Sequence, residues 1–191
     1  MPIKLIVGLG NPGPEYAETR HNVGVWLVQQ IAHYYKAPLR HESKFKGLID
    51  RIRIDDHECW LLIPTTFMNH SGQAVKALSH FYKIAPEEIV IAHDELDFPA
   101  GVIRIKKGGG DGGHNGVSDV IDNLASKDFY RLRIGISHPG NRDQVLDYVL
   151  HHPNQSDKKL IKNSIDDAMP LLSDMVQGNW EKVMQELHTK L

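Results

Sequence analysis

Residues 4–16 read "KLIVGLGNPGPEY". Gly8, Gly10 and Gly13 carry the spacing G-x-G-x-x-G directly after a strand-forming run, the pattern by which a first strand delivers a pyrophosphate to a helix N-terminus. Two features oppose that ligand. Pro12 and Pro14 have no N–H to donate where phosphate oxygens would need one. The region about 20 residues further on, "IAHYYKAPLR", also lacks the acid that would meet a ribose. The stretch therefore reads as a strand entering a rigid turn, and the question becomes which residues that turn positions.

At 191 residues and 41% hydrophobic content, the chain suits one globular domain over 1–191 with a sizeable core. The opening "MPIKLIVGLG" is a short apolar run stopped by glycine and proline. It reads as a first strand and not as a signal peptide or membrane span, so the expected location is cytoplasmic. Cys59 is the only cysteine, which excludes an internal disulfide, and "ECWLLI" places it in a buried strand. Twenty-two Lys and Arg against 24 Asp and Glu leave a net charge of −2, which argues against indiscriminate nucleic-acid binding. Local patches survive such an average, because charges act over a Debye length of ~8 Å. "RIKKGGG" (104–110) and "YRLRIG" (130–135) are two candidate patches, although charge alone favours reading each as a solvated strand edge.

The elements alternate along the chain without repeats. "IKLIVGL" predicts a strand, and "HNVGVWLVQQIAHYY" predicts a helix with Val23, Leu27 and Ile31 on one face. "LIDRIRI" and "ECWLLI" predict a hairpin turning at Asp55, Asp56 and His57. "GQAVKALSHFY" is helical, with Ala74, Val75, Leu78 and Tyr82 as its apolar stripe. "EIVIAHD", "GVIRIKK" and "RLRIGI" are strands, "GVSDVIDNL" is a helix, and the part from about 142 onward is mostly helical. This order predicts an α/β fold, a mixed and mostly parallel central sheet with helices on both faces, one hairpin supplying the antiparallel strands.

In such sheets functional groups collect beyond the carboxyl ends of the strands. Asn11, Asn69 and Asp94 each follow a predicted strand, His114 and Asn115 follow the glycine-rich loop, and His21 starts the first helix beyond the rigid turn. Singly, the asparagines suit turns, Asp94 a cap and His21 a helix start. Jointly they make a polar rim. No GxSxG elbow and no HExxH spacing occurs among the 12 histidines. The remaining chemistry is water activated by a histidine base, an aspartate fixing the imidazole tautomer and asparagine amides facing a developing oxyanion, which suits hydrolysis of an activated ester.

The blocks "VGLGNPGPEYAETRHNVG", "PTTFMNHSGQAV", "HDELDFPAG", "GGGDGGHNG" and "RLRIGISHPG" resemble those of the bacterial-type peptidyl-tRNA hydrolases, in the same order, and "VLDYVL" is similar too. The resemblance implies a single-domain α/β/α sandwich that cleaves the ester between a peptide and the 3′ end of its tRNA, freeing tRNA for translation. It implies His21 as the base and Asp94 as its partner. Asn11 and Asn69 would hold the terminal adenosine, the peptide and the carbonyl, and Asn115 would position water or substrate. His114, Tyr16 and Met68 would lie along the substrate channel, and Lys106 and Arg133 would meet a tRNA phosphate. No metal or organic cofactor, no membrane and no obligatory protein partner are implied, and a monomer is expected. Four residues depart from the pattern: Asp111 and Ser118 stand where histidine or serine and a basic residue are common, and Phe67 and His70 where tyrosine and leucine are expected. An RNA-binding relative without activity is a rival reading, opposed by intact His21 and Asp94. A nucleotide-dependent oxidoreductase built on the three glycines is another.

Overall fold

The computed structural model describes residues 1–188. Seven strands form one sheet: β1 (Leu5–Gly8), β2 (Arg40–Glu42), β3 (Gly47–Ile54), β4 (His57–Pro64), β5 (Ile89–Glu95), β6 (Ile103–Lys107) and β7 (Tyr130–Gly135), in the order β2-β3-β4-β1-β5-β7-β6. The central strands β4, β1, β5 and β7 are parallel. β1, the middle of β4 and the start of β5 are continuous apolar runs, as burial on both faces requires, whereas β7 alternates arginines with apolar residues.

The antiparallel part is larger than one hairpin. β3 and β4 pair through a two-residue turn in which Asp55 adopts a left-handed φ of 54°. The three-residue β2 adds to β3, and β6 adds antiparallel to the outside of β7. β2 was not expected, because "RHE" is polar and exposed throughout and has no alternation to detect. β6 precedes β7 in sequence yet lies beyond it, leaving β7 to pair directly with β5.

One helical layer holds α1 (Val23–Tyr34) with α5 (Gln155–Ala168) packed outside it, together with α4 (Val145–Val149), α6 (Leu172–Gln177) and α7 (Trp180–His188). The other holds α2 (Ser71–Phe81) and α3 (Asn115–Leu124). Val23, Leu27 and Ile31 are buried as their spacing predicts, and so is Val28, whose side chain packs on Gly8 of β1. On α2, Ala74, Val75 and Leu78 are buried, whereas Tyr82 ends the helix 38% exposed and stacks on Trp60.

The opening glycines serve packing. A Cβ on Gly8 would collide with the Gly24 carbonyl, and one on Gly24 with the Ala92 carbonyl, so α1 lies close against β1 and β5. Cys59 is fully buried, and burial pushes its thiol pKa up, as an inert core residue requires. Among the described residues no helix is long and apolar enough to cross a membrane.

Candidate active site

The turn after β1 is held by reciprocal bonds between two asparagines: Asn11 N–H donates to Asn22 Oδ1 and Asn22 Nδ2 donates to the Asn11 carbonyl, both at 2.9 Å. Trp26 Nε1 closes the turn onto the Ala17 carbonyl at 2.8 Å. Arg20, buried, donates from its guanidinium to the Tyr148 carbonyl at 2.9 Å and lies over the Tyr148 ring, which ties α4 to the same turn. His21 sits between these anchors in a 3₁₀ turn over Arg20–Asn22, directly before α1.

Asp94, near the end of β5, receives His21. Its carboxylate oxygens lie 3.0 and 2.9 Å from His21 Nδ1. An ionised carboxylate only accepts, so the proton is on Nδ1 and Nε2 keeps its lone pair. His114 approaches from the other side, with Nε2 2.7 Å from Asp94 Oδ1. As N-cap of α3, His114 accepts at Nδ1 from Gly116 and Val117 N–H, so its Nε2 carries the proton given to Asp94. His93, buried beside this group, donates from Nδ1 to the Asp94 carbonyl at 2.8 Å, and its Nε2 has no partner.

Burial disfavours a charged His21, but Asp94 outweighs it through its charge and hydrogen bond, and the His21 pKa lies above the usual histidine value. Asp94 is opposed by burial as well, yet His21 and His114 hold it well below the ordinary carboxylate range. Burial first, then His114, bring His93 down to about 3, so that ring is neutral.

His21, Asp94 and His114 are also the one group of potential metal ligands found among the described residues, with ligand atoms within 4.8 Å of one another. A metal on His114 Nε2 would need an imidazolate there, because Nδ1 is already accepting two backbone N–H groups, and the α3 cap would be lost otherwise. The donor set suits a hydrogen-bonded relay better than a cation.

The other predicted residues fall around this centre. Asn11 Oδ1 accepts from Met68 N–H at 2.7 Å, which joins the turn after β1 to the Met68–His70 turn before α2 and leaves the Asn11 amide NH₂ without a partner among the described residues. Met68 is 4% exposed and its sulfur packs against Gly116, so it supports the crevice from beneath and does not line it openly. Asn69 and Asn115 are exposed, and the turn and helix that carry them touch. Tyr16 meets Phe67 edge to face at 6.4 Å. Lys106 and Arg133 are not part of this cluster. They lie on the two strands beyond β5, with Arg133 opposite His93 in register. Alternation places them on one face of the sheet together with Arg104 and Arg131, and Arg131 holds the glycine-rich loop by donating to the Gly108 and Gly109 carbonyls. Sequence reasoning missed Arg20, Asn22, His93 and Arg131, although the "TRHN" run and the alternating "YRLR" were signals of polar side chains held in fixed positions.

The sequence matches the model of the peptidyl-tRNA hydrolase family over residues 5–191. It is 56% identical over 187 residues to a peptidyl-tRNA hydrolase of Coxiella burnetii, covering 98% of each chain. A peptidyl-tRNA hydrolase of Neisseria gonorrhoeae is 49% identical over 188 residues, again covering 98% of each. The crystal structure of the Acinetobacter baumannii peptidyl-tRNA hydrolase superposes with a TM-score of 0.94 at 49% identity, over 97% of this chain and 94% of that one. Architecture and relatives together define an enzyme of the hydrolase class. The chain belongs to the peptidyl-tRNA hydrolase family.

Proposed function

We propose that this chain hydrolyses the ester joining a peptide to the 3′ end of its tRNA, using water that His21 deprotonates. The observation that carries the mechanism is the pairing of His21 Nδ1 with Asp94, which leaves Nε2 as a base with no partner among the described residues. Nε2 takes a proton from water as the hydroxide adds to the ester carbonyl, and Asp94 stabilises the imidazolium. The oxyanion is met by amide donors from Asn11, Asn69 or Asn115, each of which has an NH₂ without a partner among the described residues. Collapse of the intermediate breaks the bond to the ribose oxygen, which leaves with the proton that His21 Nε2 took from water.

His114 acts here through Asp94 more than through substrate, and Tyr16 and Met68 shape the channel. Lys106 and Arg133 bind a phosphate of the tRNA at a distance from the ester. The whole chain works as one cytoplasmic, monomeric domain without cofactor or obligatory protein partner. Incubating the purified protein with N-acetyl-aminoacyl-tRNA and with free aminoacyl-tRNA tests the reading. Release from the first alone supports it, and release from neither, or from both equally, contradicts it.

A further inference from the structure

Between Cys59 and Pro86 the chain contains no aspartate or glutamate, although 24 of its 191 residues are acidic. That stretch includes all of α2, whose outward residues are Lys76, His80 and Phe81, with Tyr82 and Lys83 following. Lys44 and Lys46 flank it from the turn before β3. Lys44 Nζ lies 3.4 Å from the Phe81 ring centroid, and Lys46 Nζ bonds Gln73 at 3.0 Å. Among the described residues none of Lys44, Lys46, Lys76 and Lys83 belongs to an ion pair. In a chain of net charge −2, this density of uncompensated cations is local.

At Tyr82 the stripe opens into a cleft of about 490 Å³ between the end of α2 and the β3–β4 hairpin. Trp60 and Tyr82 stack in it with ring centroids 4.4 Å apart at 25°, and the Arg51 guanidinium stands 5.4 Å from the Trp60 ring. Arg51 and Arg53 pair with Glu58 and Asp56, but these pairs are exposed and weakly held, so an incoming phosphate can replace the carboxylates. β3 and β4 lie at one end of the sheet and β6 and β7 at the other, which separates this face from Lys106 and Arg133.

Uncompensated cations beside a stacked, partly exposed aromatic pair match the requirements of an unpaired nucleotide strand, whose phosphates need positive charge and whose bases need a flat apolar partner. An acidic peptide would satisfy the lysines and leave the aromatic cleft without a planar ligand. We propose that this face binds single-stranded RNA, with Lys44, Lys76 and Lys83 on backbone phosphates and the Trp60–Tyr82 cleft receiving a base. The proposal does not depend on the catalytic reading.

The test uses a short oligoadenylate, followed by fluorescence anisotropy and by quenching of tryptophan emission across a salt series. The wild type should bind with quenching. A variant carrying Lys44→Glu, Lys76→Glu and Lys83→Glu should bind at least about tenfold more weakly, and its log K against log salt should be flatter by about two units, for three lost contacts at ~0.7 each. Tyr82→Ser should lose quenching and affinity. Both variants should keep wild-type turnover of a minimal ester lacking the tRNA body, which shows that their fold is intact. The proposal is overturned by a wild type that does not bind oligoadenylate, by variants that bind like the wild type, or by preferential binding of oligoglutamate. Failure of wild-type ester turnover would instead count against the catalytic reading.

Discussion

His114 Nε2 lies 2.7 Å from Asp94 Oδ1, closer than His21 Nδ1 does, so the carboxylate that orients the base is held from both sides. The bond from His114 also moderates the negative charge that Asp94 presents to His21. His114→Asn keeps a good α3 N-cap while removing the bond to Asp94. Its melting temperature should stay near that of the wild type and its turnover should fall about tenfold, matching the ~1.5 kcal/mol of a hydrogen bond to a charged group. The acid limb of its pH–rate profile should move to higher pH, because the less satisfied carboxylate stabilises the His21 imidazolium more. An unchanged limb with lost stability would make His114 a cap and nothing else.

Lys106 and Arg133 share one face of the β6–β7 pair. Replacing either by alanine should raise KM for tRNA substrates and reduce the salt slope by about one unit, because one fewer phosphate contact releases counterions. A minimal ester should be cleaved at the wild-type rate. Equal losses on both substrates, measured side by side, would assign these residues to the fold.

Asn69 is exposed and, among the described residues, its side chain has no hydrogen-bond partner, so removing it should cost no packing. Asn69→Ala should lower kcat by roughly 10²–10³ if its amide meets the oxyanion, with the melting temperature unchanged. Normal turnover together with early melting would make it a turn residue.

His93 is buried and neutral, with its pKa brought down to about 3. The unfolded chain binds a proton there near pH 6.5 and the folded chain does not, so stability is lost as pH falls from about 6.5 toward 3, at up to ~1.4 kcal/mol per pH unit. Melting temperatures between pH 6.5 and 4 should decline in the wild type and less steeply in His93→Gln, whose amide does not titrate. Parallel declines would show that the buried ring is not their source.

Much of this architecture is legible in the sequence wherever burial imposes a period. β3 alternates because one face is solvated, and α1 and α2 repeat every three to four residues. The strand-end rule puts Asp94 on the rim and the rigid turn puts His21 at the start of the first helix, but their pairing is what the family resemblance implies. What escapes is set by tertiary choice. β2 forms because β3 offers an open edge, β6 lies outside β7 by strand order, and His114 reaches Asp94 through a glycine-rich loop that carries no periodic signal. His93 looks like any strand residue until the fold buries it against His114.

The central claim is that His21 Nε2 takes the proton from water. The most direct measurement is the pH dependence of N-acetyl-aminoacyl-tRNA hydrolysis for the wild type, Asp94→Asn and His21→Ala. Only neutral His21 can accept a proton, and its pKa is raised by Asp94, so wild-type activity should fall as pH drops through a midpoint above the usual histidine value of about 6.5. Asp94→Asn should shift that midpoint to lower pH and reduce the maximal rate, and His21→Ala should lose nearly all turnover while still binding tRNA. Near-normal activity in His21→Ala, or an acid limb that persists unchanged in that variant, would show that another group takes the proton.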